Sequence, residues 1–285
     1  MDLLRIAIQK SGRLSDDSLK LLKEAGISLS SGQGKLLSAA SDFPLEVLFL
    51  RDDDIPRYVY DGVADIGIVG ENGLMESSLS LNVVEKLGFS RCRMALAIAR
   101  NEDYSGLQWF NGKKIATSYP VILKNFLEKN AINAEIHTIS GSVEIAPGIG
   151  LADGIFDIVS TGSSLLSNGL KEVEVVLKSE AIMVAAPGLS STKKNILDKL
   201  IFRIKTVLRA QNNKYILLNA PNENLEKIIA LLPGMKSPTV MPLAMKGWSS
   251  LHSVLSENEF WDIIDKIKAL GAEGILVIPI EKMIK

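Results

Sequence analysis

The sequence has little cysteine and little histidine. Its 285 residues include one cysteine, Cys92, and two histidines, His137 and His252. A single cysteine excludes an intrachain disulfide framework and a cysteine-rich zinc site. Two histidines leave little material for a histidine-based catalytic triad. We therefore expect any chemistry to depend on carboxylates, cations, backbone amides and a hydrated metal ion.

Net charge of one sign and long hydrophobic runs are missing as well. The formal net charge is −1, so no global basic field attracts nucleic acid or anionic lipid. No apolar run approaches the ~20 residues that a membrane helix needs. The first residues lead directly into a short alternating segment and not into a secretory signal. We expect a cytoplasmic protein that binds neither nucleic acid nor membrane.

What is present is a regular alternation of strand-like and helix-like segments. Residues 3–8 and 45–50 have the pattern of strands, and residues 14–25 repeat apolar positions at helical spacing. This order is typical of an α/β fold with a mainly parallel sheet. Further along, the pattern predicts a helix over residues 151–156 and a strand over residues 157–160.

The predicted elements divide the chain into three parts. Residues 1–90, with a return segment at about 180–210, form a first α/β block, here called lobe I. Residues 91–179 form a second block, lobe II. Residues 211–285 follow the order βαββαβ, which is the ferredoxin-like arrangement. Units of this kind often bind regulators or pack against copies of themselves, although the fold alone does not assign that role.

The strongest candidate site is the segment of residues 157–164. An apolar strand end meets a run of small polar residues that begins a helix, and Gly162 lets the backbone turn closely. Free amides and hydroxyls there favour an anion. A simple serine-capped turn is the competing interpretation. The segment also lacks the lysine and spacing of a P-loop. Its candidate anion contacts are Val159, Ser160, Thr161, Gly162, Ser163 and Ser164.

Four other polar loops follow predicted strands, where open α/β sheets place their ligands. Cations at two of these loops suit phosphate groups, and a tyrosine can stack on a base. Each residue alone reads equally well as an ordinary surface or structural side chain, but their coincidence predicts a cleft between two lobes. The candidates are Lys10, Gly12, Arg13, Arg51, Glu71, Asn72 and Tyr119.

Acidic residues flank the candidate anion loop. Glu144, Asp153 and Asp157 are able to accept hydrogen bonds from sugar hydroxyls or to hold water on a metal ion. Taken alone, each of the first two is better explained as a solvated carboxylate. Asp157 stands apart because it lies on the strand directly before the turn.

Together these segments resemble the ATP phosphoribosyltransferase family, over essentially the whole chain. The C-terminal βαββαβ unit resembles that of the long form, which carries its own regulatory domain, whereas the short form depends on a separate subunit. The resemblance is carried by QKSGRL (9–14), RDDDIP (51–56), DIGIVGEN (65–72), ATSYP (116–120), GSVEIAP (141–147), DIVSTG (157–162), LLPG (231–234) and IEKM (280–283).

The resemblance implies an architecture and a reaction. The architecture is a two-lobed catalytic region like that of periplasmic binding proteins, followed by a histidine-sensing domain. In the reaction, N1 of the adenine ring of ATP displaces pyrophosphate from 5-phosphoribosyl 1-pyrophosphate (PRPP), which gives phosphoribosyl-ATP. The cofactor would be Mg²⁺, held mainly through substrate phosphates, with its protein ligands left open. The assembly would be a homo-hexamer, with a dimer as its alternative form.

The resemblance also implies roles for individual residues. Residues 160–164 would hold the 5-phosphate of PRPP, while Glu144 and Asp157 would contact the ribose hydroxyls as the catalytic carboxylates. Lys10, Arg13 and Arg51 would serve phosphate groups without being apportioned between the substrates. The loop of Glu71 and Asn72 would serve adenine and its ribose, together with Tyr119.

A histidine site is implied in the last domain. Its candidate residues are Asn219, Ala220, Thr239, Leu243 and Ser253. Some family members carry an acid where Asn219 stands, which would meet the ammonium group of histidine. The amide of this chain leaves that contact in question.

Two other functions fit a two-lobed fold. A periplasmic-type binding protein would bind a small molecule without catalysis, but it would carry a signal peptide and needs no C-terminal sensor. A ligand-sensing transcription regulator would need a helix-turn-helix segment and a basic face. Neither is apparent in the sequence.

Overall fold

The computed structural model describes residues 2–29, 36–232, 234 and 236–284. The chain forms two compact units. Unit 1 contains Met1–Lys23 and Ile27–Asp198, and unit 2 contains Glu24–Gly26 and Lys199–Lys285. Among the described residues, none of the helices combines the length and apolar character needed to cross a bilayer.

The first elements in chain order build most of unit 1. They are β1 (Leu4–Gln9), α1 (Arg13–Glu24), β2 (Leu37–Ala39), β3 (Leu45–Leu50), α2 (Ile55–Tyr60), β4 (Ile66–Gly70), α3 (Glu71–Ser77), β5 (Asn82–Lys86), β6 (Cys92–Ala99), β7 (Lys114–Thr117), α4 (Pro120–Lys129), β8 (Glu135–Thr138), β9 (Gly154–Val159), α5 (Ser163–Ser167), β10 (Leu170–Ser179) and β11 (Ala181–Ala185).

The remaining elements begin with a long helix and end with the strands of unit 2. They are α6 (Ser191–Gln211), β12 (Asn213–Pro221), α7 (Leu225–Leu231), β13 (Thr239–Pro242), β14 (Trp248–Ser256), α8 (Glu257–Ala269) and β15 (Glu273–Pro279). Pro233, in the LLPG motif after α7, lies outside the described residues.

Unit 1 contains two separate sheets. A six-stranded sheet has the order β2-β3-β1-β4-β11-β5, and a five-stranded sheet has the order β10-β6-β9-β7-β8. The strands of the first come from lobe I and those of the second from lobe II. The chain passes between the sheets twice, from β5 to β6 and from β10 to β11. The α/β class predicted from the sequence is confirmed.

Parallel pairing is confined to part of each sheet. Strand β1 lies parallel to β3 and β4, and β7 lies parallel to β8 and β9. The other pairs in unit 1 are antiparallel. Because the carboxyl ends of parallel strands meet at one edge of a sheet, the loops after β1, β3 and β4 gather at one edge. The loops after β7 and β9 gather likewise in lobe II.

The helix predicted over residues 151–156 is wrong. Strand β9 begins at Gly154, and Asp153 lies in the preceding turn, where its carboxylate accepts a hydrogen bond from the Lys114 amide at 2.8 Å. Strand β9 lies between β6 and β7, so Ile155 and Phe156 are both fully buried, on opposite faces. A strand covered on both faces loses the apolar–polar alternation that identifies strands in a sequence.

Unit 2 has the predicted βαββαβ order. Its sheet has the order β13-β14-β12-β15 with all neighbours antiparallel, which is the ferredoxin-like topology. Helix α8 begins with a capping box between Ser256 and Glu259. Alternate residues of β12 and β14 turn inward, and the core contains Ile216, Leu218, Ala220, Leu251, Leu255 and Phe260.

Candidate functional site

The predicted anion loop connects β9 to α5. Gly162 adopts φ = +83°, a conformation that costs a residue with a side chain roughly 1–2 kcal/mol. The Thr161 and Ser163 hydroxyl oxygens are 3.1 Å apart, and Ser160, Thr161 and Ser163 are exposed. Val159 is buried, so only its backbone remains for a ligand. The loop therefore presents hydroxyls and amides at the carboxyl edge of the five-stranded sheet.

A cavity of about 270 Å³ brings this loop to the polar loops of lobe I. At this cavity, Nη1 of Arg13 donates to the hydroxyl oxygen of Ser160 at 3.3 Å, which joins the loop to lobe I. Of the residues predicted from the sequence, the cavity gathers Gly12, Arg13, Asn72, Tyr119 and Ser160.

Other predicted residues lie apart from this cavity. Lys10 and Arg51 are exposed and do not line it. Glu71 lines a neighbouring cavity of about 490 Å³, where its carboxylate is 3.5 Å from Nζ of Lys86. The side-chain oxygen of Asn72 accepts a hydrogen bond from the Ser179 hydroxyl at 2.8 Å, which leaves its NH₂ group for a ligand.

Tyr119 lines the 270 Å³ cavity, and the carboxylate of Asp157, which does not line it, lies within electrostatic reach of the Tyr119 phenol. Burial raises the pKa of the Tyr119 phenol, and the nearby carboxylates of Asp157, Asp52 and Asp53 raise it further. Burial likewise raises the pKa of Asp157; the hydrogen bond that it accepts from the Ile158 amide opposes this shift, and the charge of Glu144 adds to it. Tyr119 is therefore a neutral phenol at physiological pH, close to a carboxylate that is poorly solvated.

Glu144 lies on a short 3-10 turn, Val143–Ile145, and like Asp157 it lines neither of the two cavities. The preceding residues, Gly141 and Ser142, both have positive φ. For Ser142 this left-handed conformation is strained, and strain of this kind clusters at ligand sites. Because Glu144 contributes to the pKa shift of Asp157, the two predicted catalytic carboxylates lie within electrostatic reach of each other.

The sequence interpretation did not identify several residues that line the two cavities. Asp52 and Asp53 belong to the RDDDIP motif but were given no role from the sequence, and both line the 270 Å³ cavity. Burial raises the pKa of Asp53, and the negative charges of Asp52 and Asp54 raise it further. Cys92, Arg93 and Lys178 were missed because they lie where the chain passes between the sheets, which no local pattern marks.

A protein-only metal centre is not found in the described ranges, where no group of three or more histidine, cysteine, aspartate or glutamate side chains could hold an ion. The carboxylates of Asp52 and Asp53 are the acidic groups that line the 270 Å³ cavity. Two carboxylates suit an ion such as Mg²⁺, whose other ligands would be water molecules and substrate phosphates.

In unit 2, the predicted histidine-site residues lie on both faces of the sheet. Ala220 and Ser253 point into the core beneath the helices, and the Ser253 hydroxyl has no hydrogen-bond partner among the described residues. Asn219 pairs in register with Ser250 and therefore lies on the opposite, open face. Thr239 pairs with His252 on that open face, and Leu243 follows β13.

Two protein-family models match the chain. The model described as ATP phosphoribosyltransferase matches residues 51–206, more than half of the chain. The model described as HisG, C-terminal domain, matches residues 210–282.

Individual proteins are similar over comparable lengths. An ATP phosphoribosyltransferase of Bacteroides thetaiotaomicron is 61% identical over 282 residues, which covers 99% of this chain and 100% of that protein. Another, of Cytophaga hutchinsonii, is 62% identical, with 99% of each chain covered. A chain of the ATP phosphoribosyl transferase (HisG:HisZ) complex from Thermotoga maritima superposes with a TM-score of 0.61 and 30% identity, covering 71% of this chain and 99% of that one.

Proposed function

Because the chain belongs to the ATP phosphoribosyltransferase family, whose reaction is the first step of histidine biosynthesis, we propose that residues 160–164 bind the 5-phosphate of PRPP. The observation that carries this proposal is the loop itself. Exposed hydroxyl-bearing residues follow the carboxyl end of the central strand β9, and Ser160 is joined to Arg13 at the cavity wall. A phosphate placed there would leave the ribose beside Asp157.

Catalysis would then depend on Asp157 and Glu144. As the bond to pyrophosphate breaks, positive charge develops at the anomeric carbon, and a nearby carboxylate stabilises it. Partial burial of Asp157 makes its charge more effective, because water screens it less. N1 of adenine is the nucleophile, so no covalent intermediate with the protein is required. The residues position the substrates and supply the electrostatic field.

The remaining polar groups would hold ATP and the phosphates. Arg13 reaches the cavity at Ser160 and serves a phosphate group, with Gly12 allowing close approach of the backbone. Lys10 and Arg51 are the cations to which long phosphate chains would extend. Neutral Tyr119 suits stacking on adenine, and the NH₂ group of Asn72 suits a ring nitrogen or ribose oxygen. Glu71 lines the neighbouring 490 Å³ cavity, from which it would reach the ribose of ATP.

Mg²⁺ fits the site as an ion carried by substrate phosphates. It retains several water molecules and takes one or two carboxylates, which Asp52 and Asp53 provide at the cavity wall. When bound, it neutralises the charge that develops on the leaving pyrophosphate.

The activity test combines the protein with ATP, PRPP and Mg²⁺ and follows phosphoribosyl-ATP by its absorbance. We expect turnover that stops with EDTA and returns with added Mg²⁺. Because the ion comes with the substrates, EDTA should leave the Tm of the substrate-free protein unchanged. PRPP binding without product formation would contradict the catalytic proposal.

We also propose that residues 211–285, which lie within unit 2, form the regulatory domain and bind histidine as a feedback inhibitor of a catalytic region built from lobes I and II. Inhibition requires that histidine bind two states of the enzyme with different affinity. A homo-hexamer that exchanges with a dimer would supply those states, which sedimentation with and without histidine would separate. A biosynthetic enzyme of this kind is expected in the cytoplasm.

Asn219→Asp tests the histidine site. A carboxylate on the open face would meet the ammonium group of histidine with a charge-assisted hydrogen bond, so half-inhibition should need about fivefold less histidine. Asn258→Asp is the control, since it adds the same charge at an exposed position of α8. If the two variants respond to histidine alike, the ammonium group does not lie near Asn219.

A further inference from the structure

Arg93 connects the phosphate loop to the neighbouring strand. Its Nε lies 2.8 and 2.9 Å from the two carboxylate oxygens of Glu172, and its Nη2 lies 2.7 Å from one of them. Its Nη1 donates to the backbone carbonyl of Ser160 at 3.2 Å. One guanidinium group therefore holds both a carboxylate on β10 and the first residue of the loop.

The pair lies diagonally across the sheet. Arg93 pairs in register with Lys178 and Glu172 with Ala97, so the two side chains lean toward each other along β6 and β10. Arg93 also pairs with Val159, the last residue of β9. This register places the guanidinium beside the point where β9 gives way to the loop. Nη2 lies 4.0 Å from the position that a Cβ on Gly162 would occupy, so the group borders the turn as well.

A loop that binds an anion through its amides must turn its carbonyl groups away from that anion. A donor that holds such an outward carbonyl fixes the plane of the whole peptide group, and with it the direction of the next amide. Arg93 supplies this donor to Ser160 from behind the loop. On the other side, Arg13 donates to the hydroxyl of the same residue. Ser160 is thus oriented by two arginines.

We propose that Arg93, fixed by Glu172, is a positioning residue that sets the orientation of the Ser160 peptide for phosphate binding. This inference rests on the proposed binding of the PRPP 5-phosphate by residues 160–164. Glu172 neutralises the guanidinium and engages two of its three nitrogens, Nε and Nη2. The pair therefore orients the backbone, while the loop itself binds the phosphate.

The test measures steady-state constants and Tm for the full-length protein and its variants. Arg93→Met should raise the KM for PRPP about tenfold, since a hydrogen bond from a charged group is lost. The KM for ATP should change less than twofold. Glu172→Gln keeps the shape but removes the charge, and should raise the KM for PRPP by a smaller factor. Arg93→Lys should recover part of the affinity.

The matched control is Arg5→Met. Arg5 forms a cross-strand pair with Glu46 at 2.8 Å in the six-stranded sheet and lines neither cavity. It should change Tm as much as Arg93→Met does, with an unchanged KM for PRPP. In the Arg93→Met and Glu172→Gln double variant, the KM for PRPP should rise by less than the product of the two single increases. Both substitutions disrupt the same Arg93–Glu172 pair, so their effects are not independent.

Two results would overturn the inference while leaving the proposed function intact. One is a change in Tm for Arg93→Met with a wild-type KM for PRPP, which would make the pair structural only. The other is a lower KM for PRPP in Glu172→Gln, which would make Arg93 a direct phosphate ligand that Glu172 restrains. If the wild-type protein does not bind PRPP, the proposed function and this inference fall together.

Discussion

Replacing Gly162 by alanine is expected to raise the KM for PRPP about tenfold, because a left-handed backbone costs a residue with a Cβ roughly 1–2 kcal/mol. Gly162 has φ = +83°, and this turn sets where residues 160–164 point. The added Cβ meets nothing closer than 3.8 Å, so backbone strain and not a clash causes the effect. ATP does not contact this loop in the proposed arrangement, and its KM should stay within a factor of two.

Gly169→Ala is the matched control for this variant. Gly169 lies a few residues further along the chain with φ = +70°, and nothing lies within 4 Å of an added Cβ. The two variants should lose similar thermal stability, and only Gly162→Ala should lose affinity for PRPP. Equal increases in the KM for PRPP and for ATP would contradict the assignment of the loop to PRPP.

Replacing Asp157 by asparagine is expected to lower kcat about 100-fold, the scale of losing one preorganised electrostatic contact in a transition state. Asparagine keeps the shape and still accepts the hydrogen bond from the Ile158 amide. In the wild-type protein, the pKa of Asp157 is raised by burial, and the active form is the carboxylate. Activity should therefore fall with decreasing pH at values above the usual range of an aspartate.

Stability should respond to Asp157→Asn in the opposite direction. A carboxyl whose pKa is higher in the folded state than in the unfolded chain binds its proton more tightly when folded. Ionising Asp157 at neutral pH thus costs stability, and the variant should have an equal or higher Tm. Asp153→Asn is the control: it keeps an acceptor for the Lys114 amide in the turn before β9 but removes the charge that pairs with Lys113 at 3.6 Å. It should lower Tm slightly and leave kcat nearly unchanged. A fall in Tm for Asp157→Asn that matches its loss of activity would contradict the catalytic role.

The features that the sequence predicted best are local in the chain. The small polar run after β9 marks the loop, since strand, turn and helix start are consecutive in sequence. The βαββαβ unit was recognisable because its strands have one open face and keep their alternation. By contrast, β9 is covered on both faces, and its beginning was misread as a helix.

Features that depend on long-range contacts were not predictable in this way. The side-chain oxygen of Asn72 is hydrogen-bonded to Ser179, which lies 107 residues away in sequence. Arg93 and Glu172 meet diagonally through the register of β6 and β10, which no motif encodes. The opposite orientation of Asn219 and Ala220, however, follows from strand alternation, and the sequence could have predicted it.

A structure determined with PRPP bound tests the central claim most directly. The 5-phosphate should lie within hydrogen-bonding distance of the amides and hydroxyls of residues 160–164, with the ribose hydroxyls beside Asp157 and Glu144. The Ser160 carbonyl should still accept its hydrogen bond from Arg93. A 5-phosphate held by Lys10, Arg13 or Arg51, with the loop after β9 free of ligand, would contradict the account.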